Sequence, residues 1–190
     1  ALASRAYLAS EICQIDTDLA KHDAYSRQLN TQLCARAKAI HGNVTHANTA
    51  VAADAAAFCV LTARHPETQH AVQLLGGVST GGDPYLPGLA PIRAIENVLD
   101  RHQLNTAKLT HIETMEAFAV QALACIQGAG LDPDLVNRHG GALARGHPIA
   151  ASGAILAVRL FHDLRNNGGI GIAAIAAAGG LGTALLLRAD

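Results

Sequence analysis

The sequence predicts an α/β fold: a mixed five-stranded sheet with helices on its faces, preceded by N-terminal helices. Three observations carry this. From residue 71 onward, apolar runs of strand length alternate with longer stretches of helical periodicity. Half of the residues are hydrophobic, yet only 3% are aromatic and Trp is absent, so the core must be built from Ala, Val, Ile and Leu at close backbone spacing. The uncharged stretch 170–187 is interrupted by Gly179, Gly180 and Gly182 and flanked by β-type runs. Two buried strands joined by a tight turn explain it better than a membrane span does.

Taken in order, 3–13 and 16–38 read as helices, with Asp16 or Thr17 as the N-cap of the second. A turn at 42 leads through an Ala-rich stretch into the apolar run 57–62, which has the character of a buried strand. Residues 64–70 form a polar connection. Residues 71–82 resemble a strand running into a Gly-rich loop, and "DPYLPGLAP" (83–91) is a loop whose three prolines introduce a helix at 92–103. A short strand follows at 109–113, then a helix over 116–130 with Gly128 and Gly130 as C-cap candidates. "LVNR" (135–138) reads as a fifth short strand. A long helix spans 150–167 and stops at "NNGG", and a hairpin of 169–178 with 182–188 closes the chain.

Fourteen Lys and Arg against fifteen Asp and Glu leave no basic or acidic footprint, which argues against a nucleic-acid partner. Cys13, Cys34, Cys59 and Cys125 lack CxxC spacing and read as buried, reduced thiols. That places the chain in the cytoplasm or another reducing intracellular compartment. Arg5 and Glu11 interrupt residues 1–15, so no signal-peptide pattern is present, and the missing initiator Met suggests a piece of a longer chain.

The stretch "HGGALARGHPIAASGA" (139–154) carries the chemistry. Gly140, Gly141, Gly146 and Gly153 permit close backbone approach, and Pro148 near a helix start fixes its first turn. His147 then sits beside a helix N-terminus, whose dipole disfavours the imidazolium. A neutral imidazole serves as a general base and as a donor to an oxyanion. On this pattern alone, a loop histidine bonded to backbone is the simpler reading.

The order of motifs changes that balance. "MEAFAVQALA" (115–124), "VNRHGGALARGHPIAASGA" (136–154) and "AAAGGLGTALLLR" (176–188) resemble, in order and spacing, the C-terminal half of the thiolase family. The likeness extends upstream through "DPYLPGLAP" (83–91), "GNVTHANTAVAADAAA" (42–57) and "DLAKHDAYSRQ" (18–28). It implies three regions: 1–40 resembling the end of the family's loop domain, 41–66 a remnant of its N-terminal half, and 67–190 its C-terminal domain.

The resemblance also implies an acyl exchange between coenzyme A thioesters. In that family a nucleophilic cysteine takes the acyl group, a second cysteine acts as acid and base, a histidine activates the nucleophile, and an asparagine holds an oxyanion-hole water. His147 matches the histidine and keeps Gly146 and Pro148 beside it. Met115 stands at the asparagine position, although Glu116, Ala117 and Phe118 follow as in the family. Ala176 stands where the acid/base cysteine belongs, and Ala178 replaces an oxyanion-hole glycine. The nucleophile belongs to an N-terminal segment with no counterpart in this sequence. Gly146, Phe118, Gly179 and Gly180 are the residues carried over toward a substrate or coenzyme A contact. Ala50 and Ala55 replace a serine and a glycine of that site, beside Asp54.

No resident cofactor is expected; a coenzyme A thioester is the implied substrate or ligand. His139 invites a metal reading, but no carboxylate or cysteine completes a ligand spacing, so none is expected. Arg145, at an ordinarily apolar position, reads as a surface or interface contact. The expected function is a thiolase-like domain without activity by itself, either a non-catalytic subunit or the C-terminal part of a split acyltransferase. Self-association or a thiolase-like partner chain would then cover its apolar face. The alternatives are a cysteine-independent acyl-CoA enzyme using His147, by retro-aldol or thioester chemistry, and a coenzyme A-binding module.

Overall fold

The computed structural model describes residues 5–13, 30–63 and 71–190. Two short helices, α1 (Arg5–Ser10) and α2 (Thr31–Arg36), precede a small antiparallel hairpin of β1 (Ala39–His41) and β2 (Val44–Thr45). The main unit then runs β3 (Gln73–Gly81), α3 (Ala90–Arg101), β4 (His111–Thr114), α4 (Ala119–Gly128), α5 (Ala142–Arg145), α6 (Ser152–Asn167), β5 (Gly169–Ala177) and β6 (Leu181–Ala189).

These strands form a four-stranded mixed sheet in the order β3-β6-β5-β4, with β4 parallel to β5 and the other two pairings antiparallel. Strand alternation divides the core into two layers. Ile172 and Ala174 of β5 join Ala184 and Leu186 of β6 beneath Ala94, Ile95, Val98 and Leu99 of α3. Ala173 and Leu187 face the opposite way, against Leu156, Leu160 and Leu164 of α6. Each fully buried Leu or Ile contributes roughly 1.5–3 kcal/mol. Gly182 lets α3 begin directly on the sheet, since a Cβ there would overlap the backbone of Ala90.

The mixed α/β architecture is as the sequence predicts, and several details differ. The fifth strand is reduced to a single parallel bridge between Val136 and Ile112. Pro133–Leu135 is a 3₁₀ turn, and Asn137 adopts a left-handed φ of 46° that ends extension. The run 57–62 is not a buried strand. No sheet receives it, and Phe58, Val60 and Leu61 are 87%, 91% and 73% exposed. α4 starts at Ala119 rather than 116 because Phe118 is extended and bridged to Thr49. Three of the four cysteines are exposed (Cys13, Cys34 and Cys59), since the segments bearing them pack against too little; only Cys125 is buried, its thiol donating to Gly88 O.

Of the helix expected over 3–13, the described part ends at Ser10. Of 16–38 the described part is helical only at Thr31–Arg36, where Asn30 Oδ1 caps Leu33 N. The Asp16/Thr17 cap and the 64–70 connection lie outside the described residues.

Candidate functional site

The site forms at the end of the sheet where β4 and β5, running parallel, both terminate. Met115 extends β4 by one residue, its N–H donating to Ala174 O. Its side chain turns into the α6 layer beside Ala142 and Leu156 and is 4% exposed. Met115 therefore fills core and presents no polar atom. Ala176 lies two residues beyond Ala174 on β5, half-buried and opposite Gly182.

Beyond Met115 the chain is fixed by a polar brace. Asn137 clasps Thr114, accepting from its N–H at 2.9 Å and donating to its carbonyl at 3.0 Å. The same Asn137 amide donates to Glu116 Oε1 at 2.5 Å, while Glu116 Oε2 accepts from Leu143 N in the first turn of α5. Only a glycine at 141 leaves room for that carboxylate. The loop that leads to His147 is thus tied to the end of β4 from two sides.

A second element completes the setting. Residues 48–52 run between the start of α4 and His147. Ala119 N donates to Asn48 O, Ala50 N donates to Ala117 O, and His147 N donates to Val51 O at 2.7 Å. Gly146 has φ +102°, and a Cβ on it would come 2.9 Å from Ala53 Cβ. Glycine is required there for both the backbone conformation and the approach of this segment.

His147 Nδ1 lies 2.7 Å from Ser152 Oγ, and that hydroxyl donates its single proton to Pro148 O at 2.9 Å. Ser152 can then only accept from the ring. Nδ1 carries the hydrogen, and Nε2 keeps its lone pair. Burial, reinforced by the positive charge of Arg145, lowers the pKa of His147 below the usual histidine value. The imidazole is therefore neutral near pH 7 and oriented as a base or hydrogen-bond acceptor at Nε2. The expected cause, a helix N-terminus, is replaced: α6 begins only at Ser152, and Pro148 lies outside its first turn.

The turn 178–180 is fastened to the loop after β3 by Gly82 N donating to Gly180 O at 2.6 Å, with Gly180 at φ +82° and Gly179 at φ +84°. Phe118 is 41% exposed at the start of α4, and Asp54 and Ala55 are exposed, while Ala50 packs against the α6 layer. Arg145 is not a surface residue. It is buried, because α5 turns it inward toward the charges of β4. His139 belongs to another neighbourhood, its ring stacked on Tyr7 at 3.7 Å and its Nε2 3.6 Å from Asp163 Oδ1. Among the described residues, no three His, Cys, Asp or Glu side chains gather to hold a metal.

Sequence reasoning missed Ser152, the Glu116–Asn137 brace and the insertion of 48–52 beside His147. Ser152 carried a weak signal, a hydroxyl in the small-residue run after Pro148. The brace had none beyond an Asn and a Glu 21 positions apart.

Residues 68–189 match the family described as thiolase, C-terminal domain. The chain is 38% identical over 149 residues to an acetyl-CoA C-acetyltransferase of Staphylococcus aureus, covering 76% of this chain and 39% of that protein. It is 36% identical over 181 residues to a beta-ketoadipyl-CoA thiolase of Pseudomonas aeruginosa, covering 90% and 45%. Among solved structures, human mitochondrial 3-ketoacyl-CoA thiolase superposes with a TM-score of 0.78 at 27% identity, over 88% of this chain and 45% of that one. A structure of the same human enzyme in complex with CoA superposes equally well. The chain spans less than half the length of the curated relatives it matches.

Proposed function

The chain belongs to the thiolase family, and from that premise we propose that it forms the C-terminal half of a thiolase-type assembly and performs no Claisen chemistry by itself. One observation carries the reading: His147 is held as a neutral base with Nε2 free, while the two positions matched to the family's asparagine and acid/base cysteine, Met115 and Ala176, carry no proton to exchange. Met115 is buried in core and Ala176 has only a methyl. General acid–base assistance is typically worth about 10²–10⁴ in rate. Loss of an oxyanion-hole donor costs about 2.7–4 kcal/mol of transition-state stabilisation. The two deficits together leave carbon–carbon bond formation or cleavage without its proton carrier.

In this reading residues 1–40 correspond to the end of a loop domain, 41–66 to a remnant of the N-terminal half and 67–190 to the C-terminal domain. The assembly is completed by a second copy or by a thiolase-like partner chain. Its contact surface would include Phe58, Val60 and Leu61 and the outer side of α4, where Val120 and Leu123 are 62% and 64% exposed. The coenzyme A thioester would approach the neighbourhood of Gly146, Phe118, Gly179 and Gly180, where Phe118 and Gly179 are exposed and Gly146 and Gly180 lie buried beneath them. The same resemblance and the reduced thiols support a reducing intracellular compartment.

A second reading rests on the ring tautomer. A neutral imidazole with a free Nε2 suits cysteine-independent work on an acyl-CoA, either retro-aldol cleavage or thioester hydrolysis, or it contributes only to coenzyme A binding. The test is turnover of acetoacetyl-CoA by the purified chain, beside His147→Ala, with calorimetry against acetyl-CoA. No turnover in either protein is the expected result. Thiolysis at enzyme-like rates that vanishes in His147→Ala would overturn the first reading, and thioester hydrolysis with the same dependence would establish the second.

A further inference from the structure

The His147 site lies where β4 ends. At the other end of that strand, where His111 begins it, an open cleft of about 490 Å³ is bounded by residues 109–111, by the turn around 135–139 and by the last residue of α6. Leu109 and Leu135 contribute apolar surface, and His111, Arg138, His139 and Asn167 contribute polar groups. Among the described residues no acidic side chain lines it.

The polar groups are held in place. His111 is 7% exposed, its Nδ1 lies 2.9 Å from Thr110 Oγ1, and that hydroxyl donates to Ile170 O at 3.1 Å. With its single proton spent, the hydroxyl accepts from the ring. Nδ1 therefore carries the hydrogen, and Nε2 keeps a lone pair with no partner among the described residues. Gly169 makes the pairing possible, because a Cβ there would overlap Thr110 Oγ1. Arg138 folds back so that Nε donates to Asp134 O at 3.1 Å, which leaves its two terminal nitrogens to donate elsewhere. The neighbouring Asp163 is already engaged, accepting from Tyr7 OH and facing His139 Nε2 at 3.6 Å. Burial holds the pKa of His111 below the usual histidine value; Asp163 pulls against this, and Arg138 and His139 add to the lowering. The ring is a neutral acceptor.

An acceptor and a cationic fork lining one cleft suit a ligand that offers a proton and anionic oxygens together. A phosphate monoester does so, because its second pKa is about 6. A carboxylate has lost its proton at neutral pH and would turn its oxygens on the imidazole lone pair. We propose that this cleft binds a phosphate monoester, its oxygens held by the terminal nitrogens of Arg138 and its remaining proton shared with His111 Nε2, while Leu109 and Leu135 meet the organic group. The site is independent of any role for His147.

Titration of the full chain with phenyl phosphate tests it, with phenylacetate and inorganic phosphate alongside, read by proton and nitrogen-15 signals of the His111 ring. Phenyl phosphate shifts those signals saturably and leaves the His147 signals in place. Binding weakens several-fold from pH 6 to pH 8 as the shared proton is lost. Arg138 is exposed, so Arg138→Gln leaves the fold intact, and it lowers the affinity by about tenfold or more. Both comparison ligands bind more weakly. Absence of a saturable shift at millimolar phenyl phosphate, affinity indifferent to Arg138→Gln or to pH, or equally tight binding of phenylacetate or inorganic phosphate would each overturn the proposal.

Discussion

Arg159 Nε donates to Glu113 Oε2 at 2.9 Å, and neither side chain is more than 2% exposed. The pair bolts α6 to β4 beside the aliphatic residues Leu156, Leu160 and Leu164. Burial outweighs the attraction of Arg159 and of Arg145 and pushes the Glu113 carboxyl up to about 7.

Breaking one side of this pair strands the other. Arg159→Met leaves a buried carboxyl without its donor and is expected to cost about 3–5 kcal/mol. The double replacement Glu113→Leu with Arg159→Met recovers most of that loss. Urea denaturation of the two variants measures both values.

Glu113 also sets a pH dependence. Its folded-state pKa lies above the ordinary carboxylate value, so its protonated form is the one the fold favours. Its contribution to stability is complete below the unfolded pKa and falls away as pH rises toward about 7, with no further change above that. Denaturation midpoints from pH 4 to 8 follow this course, and Glu113→Gln flattens it.

His147 titrates in the opposite sense. Its folded-state pKa lies below that of the unfolded chain, so its contribution is present above the ordinary histidine pKa and is lost as pH falls through the folded value. Ring signals in proton NMR give an inflection below that of a free histidine. Arg145→Met moves it upward, because one of its two causes is removed. Ser152→Ala releases the tautomer, which nitrogen-15 shifts of Nδ1 and Nε2 report directly.

Gly146→Ala places a side chain at φ +102° against Ala53. Backbone strain of this kind costs about 1–3 kcal/mol. Because Val51 O is bonded to His147 N, faster amide exchange at His147 accompanies the loss, whereas the β5–β6 hairpin is unaffected.

Val60→Glu and Leu61→Lys on the exposed run are expected to change stability by less than about 0.5 kcal/mol. Sedimentation of the unsubstituted chain shows association that the double variant weakens.

The layered α/β order was legible because α3, α6 and the terminal hairpin have strong periodicity and glycine punctuation. Val136 was misread because a short run led by Leu135 and Val136 is the same on paper whether it enters a sheet or bridges it once. Residues 57–62 look like a strand by composition, but a strand needs a neighbour, and pairing is non-local information. The motif around His147 identified the residue and not its partners. The Ser152 contact spans five residues, whereas the Asn137–Glu116 contact joins separate elements, and only the folded chain brings those together. Arg145 went astray for the same reason, being turned inward by a single helical turn, and the ring partner of His139, a tyrosine 132 positions away (139 − 7), was equally illegible.

The strand order has a consequence for how the molecule is made. Among the described residues, β3 is the first strand of the sheet to be synthesised and its one strand neighbour is β6, the last; Gln73 meets Arg188 across 115 residues. During translation β3 must wait for its β6 partner until the more than one hundred residues between Gln73 and Arg188 have left the ribosome. Refolding should accordingly be slow at the step that docks β3, and any chain cut before Leu181 would lose the strand that pairs β3 with the rest of the described sheet.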